Sequence, residues 1–476
     1  MKRTLIFFVI VSLAPGFALG QKKYQRPKVE TPPVYRADPN TTANSQTLAD
    51  TKWFEVFKDA QLQELIHQAL VNNYDLRAAA ARIDEARANY GLTRSNQFPT
   101  IAASADVVTI GQSRSGQLDI PEPESRKRTF GSVLLNLLTF ELDIWGRLKK
   151  QTQAAKADVL ASEEARLAVT TTLVSDVATS YFNLRELDFE LEIAHRTLDS
   201  RRESLRIIKL REERGVSNML DLRQAEQLVY SATEVIPDLE KSIEQNENFI
   251  SFLTGKNPHA VTRGVSLTEQ QMPPAVPAGL PSDLIERRPD IRSAEQELIS
   301  ANALIGAAKA AYFPRITLTG FLGFESTSLS SLFNPSRSVW GFIPQVTQPI
   351  FTAGRLKSNV RFTQAQQQLF LVNYERTIQN AFREVSDSLI AYRKVREVRE
   401  QRGLLVTTLQ DRSRLAYLRY YGGVANLLEA LDADRNLFDA ELSLTQARRD
   451  ELLTVVSLYK ALGGGWQDEM KPNQHP

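Results

Sequence analysis

From Arg147 to Arg214 the chain carries no proline, and Leu173, Val177, Tyr181, Leu184, Leu187, Leu191, Ala194, Leu198, Leu205 and Ile208 recur at spacings of three and four. That period predicts one amphipathic helix with a coiled-coil-like seam. At about 1.5 Å per residue the helix spans roughly 100 Å. A rod of that length cannot fold back into a compact globule, so it must find partner helices along its seam. Gly215 interrupts it, and a second helix is predicted to run to about Leu253, ahead of Gly255 and Pro258.

The same order of features occurs twice. Asp75 and Phe98-Pro99 return as Asp290 and Phe313-Pro314. Gly146-Arg147 returns as Gly354-Arg355, and Gly215-Val216-Ser217-Asn218-Met219-Leu220-Asp221 as Gly423-Val424-Ala425-Asn426-Leu427-Leu428-Glu429. Marks recurring in one order indicate a tandem duplication. The first repeat covers 59–255, with a helix, a hairpin over 100–144, a long helix over 146–214 and a helix over 216–254. A connector over 256–281 leads to the second repeat, 282–463, with its hairpin over 315–351 and helices over 354–421 and 424–462. An extended, proline-rich arm (21–58) precedes the repeats and a tail (464–476) follows them.

Between the helices the period changes to two. Ile101, Ala103, Ala105 and Val107 alternate with Thr100, Ala102, Ser104 and Asp106, and a second strand is predicted over Phe130 to Ile144. Ile316 and Leu318 alternate with Thr317 and Thr319, and a fourth strand is predicted over Val339 to Phe351. Strands of about ten residues have the length that crosses a membrane tilted. Phe321, Phe324, Trp340 and Phe342 suit either an interfacial girdle or core packing.

Composition narrows the options. Lys2-Arg3, the apolar run Leu5 to Ala14, the break at Pro15-Gly16 and the small residues Ala18 and Gly20 read as a secretory signal over 1–20. That run is too short to span a bilayer, and no later stretch reaches about 18 uninterrupted apolar residues. An exported chain of this kind can enter a membrane only through β-strands. The formal charge of +2 gives no field suited to nucleic acid. The absence of cysteine excludes disulfides, thiolate metal sites and a cysteine nucleophile. His67, His195, His259 and His475 have no metal-ligand spacing, so no metal or other cofactor is expected. No phosphate loop or nucleophile elbow is present, so an enzyme is not expected.

Four strands per chain cannot close a sheet in lipid, where known barrels begin at about eight. Two chains would give eight strands and a filled interior, whereas three give twelve and leave a lumen. The expected fold is therefore mainly helical with a β-barrel pooled from several chains, and the long helices, attached in register, would form a second tube continuing away from the membrane.

At this point the residues resemble a family. The arm Tyr24-Gln25-Arg26-Pro27, the opening Trp53-Phe54, Glu286-Arg287-Arg288-Pro289-Asp290-Ile291, Ala311-Tyr312-Phe313-Pro314 and Leu458-Tyr459-Lys460-Ala461-Leu462-Gly463-Gly464-Gly465-Trp466 are similar to the TolC-type outer membrane efflux proteins, in the NodT- or OprM-like branch. The resemblance implies a homotrimer whose twelve-stranded outer membrane β-barrel continues into a periplasmic α-helical barrel, a duct that conducts small molecules passively. Its implied partners are a periplasmic adaptor, an inner-membrane pump of the RND type and outer membrane lipid. It places the periplasmic constriction on Leu428, Glu429, Asp432 and Arg435, and the adaptor-contacting tips on Gly215, Val216, Gly423 and Val424. The branch usually bears a lipidated cysteine after its signal. This sequence has no cysteine, so the strands alone are expected to hold it in the membrane.

In a threefold assembly Glu429 and Asp432 would each recur around one axis and favour cations over anions. The plainer reading, a solvated helix face near an N-terminus where acids suit the dipole, stays open. Gln224 stands in the first repeat where Asp432 stands in the second, so the turn itself does not require that acid. Arg435 falls on the seam Leu428, Leu431, Arg435, Phe438, where it is expected to pair with an acid across the helix contact. Export of proteins by a type I secretion system would use the same duct. An exported coiled-coil scaffold would account for the seams but not for the four recurring strands.

Overall fold

A computed structural model describes residues 24–32, 35, 48–111, 113, 125–271 and 281–465. The signal over 1–20, most of the proline-rich arm, nearly all of the segment from Met272 to Pro281 and the end of the tail lie outside them. In chain order the elements are α1 (Trp53–Val56), α2 (Ala60–Asn72), α3 (Tyr74–Ser95), β1 (Ile101–Gly111), β2 (Lys127–Leu142), α4 (Arg147–Glu213), α5 (Met219–Leu253), α6 (Pro281–Arg287), α7 (Pro289–Ala310), β3 (Arg315–Ser326), β4 (Ser338–Thr347), α8 (Arg355–Tyr421) and α9 (Leu427–Ala461). The halves agree helix by helix: α3 and α7 have 22 residues each, α4 and α8 67, and α5 and α9 35. No described helix is long and apolar enough to cross a membrane.

The chain divides into two compact units. One contains Arg87–Asp158 and Glu297–Leu371 and is built on a single antiparallel sheet in the order β1-β2-β3-β4. Its register sorts the side chains. Ile101, Leu137, Gly320 and Phe342 form one row across the four strands, and Ala103, Leu135, Leu322 and Trp340 the next. Because successive residues point to opposite faces, the other face collects Ser104, Asp106, Ser132, Asn136 and Glu325. There Asn136 Nδ2 donates to Ser104 Oγ at 2.9 Å and Ser132 Oγ to Asp106 at 3.0 Å.

Two strands differ from their expected ends. β2 runs from Lys127 to Leu142 instead of Phe130 to Ile144, and a register shift between Leu137 and Phe140 puts one extra residue in it. This bulge returns Phe140 and Leu142 to the apolar face, opposite Leu318 and Ile316. Strand β4 stops at Thr347 instead of reaching Phe351, just ahead of Pro349, which has no N–H to donate to a ladder. Of the four aromatic residues singled out, Phe324, Trp340 and Phe342 share the apolar face. Phe321 does not: it pairs with Gly341 on the polar face, in the row of Asn136.

The second unit contains Thr31–Ala86, Val159–Gln296 and Val372–Pro476 and holds most of the helical packing. Asn73 divides α2 from α3 by capping the latter, with Oδ1 accepting from Asp75 N at 2.8 Å and Leu76 N at 3.1 Å. Arg288, buried, donates to Glu384 Oε2 at 2.8 Å and to Ala461 O at 2.9 Å, tying α8 and the end of α9 to the start of α7.

A Cβ at Gly341 would stand 2.5 Å from Phe321 Cε1. Gly341→Ala should therefore destabilise the sheet by about 1–3 kcal/mol through overpacking. Phe321→Ala in the same chain should recover most of the loss, read as the urea midpoint.

Candidate functional site at the helical tips

Both tips lie in the second unit and are built alike. In the first, Gly215 has φ +74, its N–H donates to Glu212 O at 2.8 Å, and Val216 N donates to Arg211 O at 2.8 Å. In the second, Gly423 has φ +74, its N–H donates to Tyr420 O and Val424 N to Arg419 O, both at 3.0 Å. These paired bonds make a Schellman end, which needs a left-handed residue and hence glycine. An asparagine then caps each following helix: Asn218 accepts from Asp221 N at 2.9 Å, and Asn426 from Glu429 N at 3.0 Å. Helices α5 and α9 thus begin at Met219 and Leu427, three residues later than the sequence suggested, because the caps occupy the intervening positions. Val216 and Val424 are exposed at the turns.

The tips differ in their charges. Asp221 completes a capping box by accepting back from Asn218 N. Glu429 instead lies 3.6 Å from Arg419 at the end of α8. Asp432 accepts from three donors: Arg412 of α8 at 2.9 Å, and Arg435 and Asn436 of its own helix at 3.0 Å each. The expected partnership of Arg435 is thereby corrected. Arg435 pairs along α9 and is exposed, and Arg412 makes the crossing to Asp432. Leu428 is exposed as well. The packed stripe at the start of α9 is Leu427, Ala430, Leu431 and Ala433, held against Ile208, Leu222 and Tyr420. That contact turns Leu428 and Arg435 away from it.

The residue missed by the sequence reading is Arg201. It occupies the seam of α4 between Leu198 and Leu205 and is only 4% exposed. Its Nε donates to Asp434 of α9 at 2.8 Å, its Nη1 donates to Leu228 O of α5 at 3.1 Å, and its guanidinium stands 5.1 Å over the Phe438 ring. One buried cation therefore joins three helices. A charged residue at a seam spacing was the available signal. Nearer the tip, the Arg211 guanidinium lies 5.1 Å from the Tyr420 ring centre.

Further along the same helices Glu186 is 4% exposed and accepts from Arg449 Nη1 of α9 at 2.7 Å. Burial pushes its carboxyl up to about 7 against the opposing pull of Arg449, with Glu190 and Asp450 adding to the rise. Among the described residues no cluster of three or more histidine, cysteine or acidic side chains is arranged to hold a metal ion.

With this geometry in place, relatives can be compared. The outer membrane efflux protein family matches residues 65–256 and 280–464. The chain is 38% identical to the cation efflux system protein CusC of Escherichia coli, over 97% of this chain and 99% of the relative. It is 36% identical to the toluene efflux pump outer membrane protein TtgC of Pseudomonas putida, over 98% and 97%. Among solved structures it resembles the open state of the Neisseria gonorrhoeae outer membrane channel MtrE, with TM-score 0.84, 34% identity, and 93% and 98% of the two chains covered.

Arg201→Met should cost about 3 kcal/mol, the scale of a buried pair left with one uncompensated charge. Hydrogen exchange should quicken over Leu427–Phe438, and Asp434→Asn in the same chain should restore part of the protection. Glu186 titrates higher folded than unfolded, so its contribution is fully present below about pH 4.5 and is lost as pH rises through about 7. The helical melting temperature should fall between about pH 5 and pH 8, and Glu186→Gln should flatten that slope.

Proposed function

The chain belongs to the outer membrane efflux protein family, and from that premise we infer that it is the outer membrane exit duct of a tripartite efflux pump. It passes small molecules outward from an adaptor and an inner-membrane transporter, and the energy comes from that transporter. The single observation that carries this reading is the sheet. It has an apolar face, a polar face and open edges at β1 and β4, and its strands lead into helices of matched length.

Three copies joining β4 to β1 would close a twelve-stranded barrel with the apolar rows toward lipid and Asp106, Ser132 and Glu325 toward the lumen. The boundaries of the two repeats follow the element order, with the turns at Gly215 and Gly423 as the periplasmic ends. There Gly215, Val216, Gly423 and Val424 offer glycine turns and exposed valines to an adaptor. An RND-type pump is the proposed energy source. Relatives are named for cation efflux and for toluene efflux, which favours a duct whose cargo is chosen by its pump.

The gate is assigned to the start of α9. Leu428, Glu429, Asp432 and Arg435 are exposed or half-exposed in the single chain, and a threefold axis would bring three copies of each together. Arg412 and Arg435 hold Asp432 in place, and the Arg201–Asp434 pair fixes α9 to α4 behind it. Opening requires these contacts to give way, and an adaptor favours it by binding the open arrangement more tightly.

In planar bilayers the purified protein should conduct weakly and prefer cations. Replacing Asp432 and Arg435 together with alanine should raise the single-channel conductance several-fold and reduce the cation preference. Unchanged conductance and selectivity would remove the gate from these residues.

A further inference from the structure

At the end of the sheet where the strands lead into helices, large apolar side chains face solvent. Ile350 and Phe351 are 95% and 88% exposed, and Ile144 and Trp145 are exposed as well. The junctions are tied to one another. The Trp145 indole stacks on Phe313 with 4.9 Å between centroids, and its Nε1 donates to Pro314 O at 2.8 Å. Gln348 Nε2, just past β4, donates to Tyr312 O at 3.1 Å. This apolar band follows in the chain just past the last row of the sheet's apolar face, Leu142, Ile316 and Val346 on β2, β3 and β4.

One step into the helices the charge has a single sign. Lys149 on α4 and Arg355 and Lys357 on α8 are exposed, and none has an ion pair among the described residues. The carboxylates that could answer them are engaged. Glu141 holds Arg147 at 2.7 Å, and Asp143 accepts from the main-chain N–H groups of Leu148 at 3.0 Å and Lys149 at 2.7 Å. Beyond Asp143 the next acid is Asp158, and beyond Gly354 it is Glu375. An exposed apolar band followed by unanswered cations matches the cross-section of a lipid leaflet, with acyl chains toward the strands and phosphates toward the helices.

We propose that this strand–helix junction is a binding surface for anionic glycerophospholipids, with Ile144, Trp145, Ile350 and Phe351 against the upper acyl chains and Lys149, Arg355 and Lys357 against the headgroup phosphates. It rests on the outer membrane channel reading and adds to it a lipid class and the residues that select it. The arrangement favours a headgroup with net negative charge over a zwitterionic one, because the zwitterion's own ammonium repels the lysines. Each basic side chain near such a surface contributes about a fivefold preference at low salt. Because the three are spread over two helices, a single headgroup meets one or two of them, so a preference of about tenfold is expected.

The test uses the full-length protein in phosphatidylcholine vesicles with spin-labelled phosphatidylglycerol or phosphatidylethanolamine, and measures the relative association of each lipid with the protein. The native chain should favour phosphatidylglycerol about tenfold at low salt and lose most of that preference at high salt. The triple variant Lys149→Gln/Arg355→Gln/Lys357→Gln should lose about tenfold in phosphatidylglycerol association while phosphatidylethanolamine association, oligomeric state and conductance stay unchanged. Equal association of the two lipids with the native chain overturns the proposal whether or not the variant folds. So does a variant that keeps the full preference, or one that falls apart into monomers, since the cations would then face the lumen or a second copy. Failure of the native chain to enter vesicles of either composition would instead sink the channel reading itself.

Discussion

A backbone N–H or C=O left without a partner in hydrocarbon costs several kcal/mol, and the sheet leaves a row of them on the outer edges of β1 and β4. Among the described residues no further strand pairs with either edge. The face that would meet lipid, with Leu135, Leu322, Trp340 and Phe342, is as ill-suited to water as those edges are to lipid. Closure by further copies of the same sheet, as in the proposed barrel, would resolve both difficulties. In that barrel the symmetry closing the strands would pass to the helices that follow them.

At the other end of the helices, charge takes over from hydrogen-bond satisfaction. The two tips share a Schellman end and an asparagine cap, so their backbones are interchangeable. Their side chains are not. Asp221 is spent on its own capping box, whereas Glu429 and Asp432 face arginines of the preceding helix. A buried guanidinium at Arg201 stabilises the packed arrangement only while Asp434 stays with it. The same pair that holds α9 in place would therefore resist any movement that separates them.

Much of this was legible in the chain. Heptad-like spacing between the glycine marks at Gly146 and Gly215 outlined α4, and the return of those marks at Gly354 and Gly423 outlined α8. The duplication was visible because glycine and proline marks are set by backbone geometry, which both halves share. What escaped depended on neighbours. The bulge at Leu137 was hidden because each side of it alternates correctly on its own, and only the pairing with β3 exposes the slip. Arg201 was passed over because apolar residues define a seam, and its acid lies 233 positions away. Arg435 was placed on the packed stripe by spacing alone, but the contact of Leu427 and Leu431 with Ile208 and Tyr420 rotates α9 by about a residue. Solvent exposure at the strand–helix junctions was likewise invisible, since Ile350 and Phe351 read as the end of a strand.

The equality of the helices constrains insertions. With α5 and α9 both of 35 residues, and with Leu222 and Ala225 of one packed in the same cluster as Leu427 and Ala430 of the other, the two turns stand level. Adding one residue to a single helix would lift its tip by about 1.5 Å and swing every later side chain by about 100°. Keeping the two turns level with their packing intact would take matched insertions of whole heptads on both sides of a turn and in both halves.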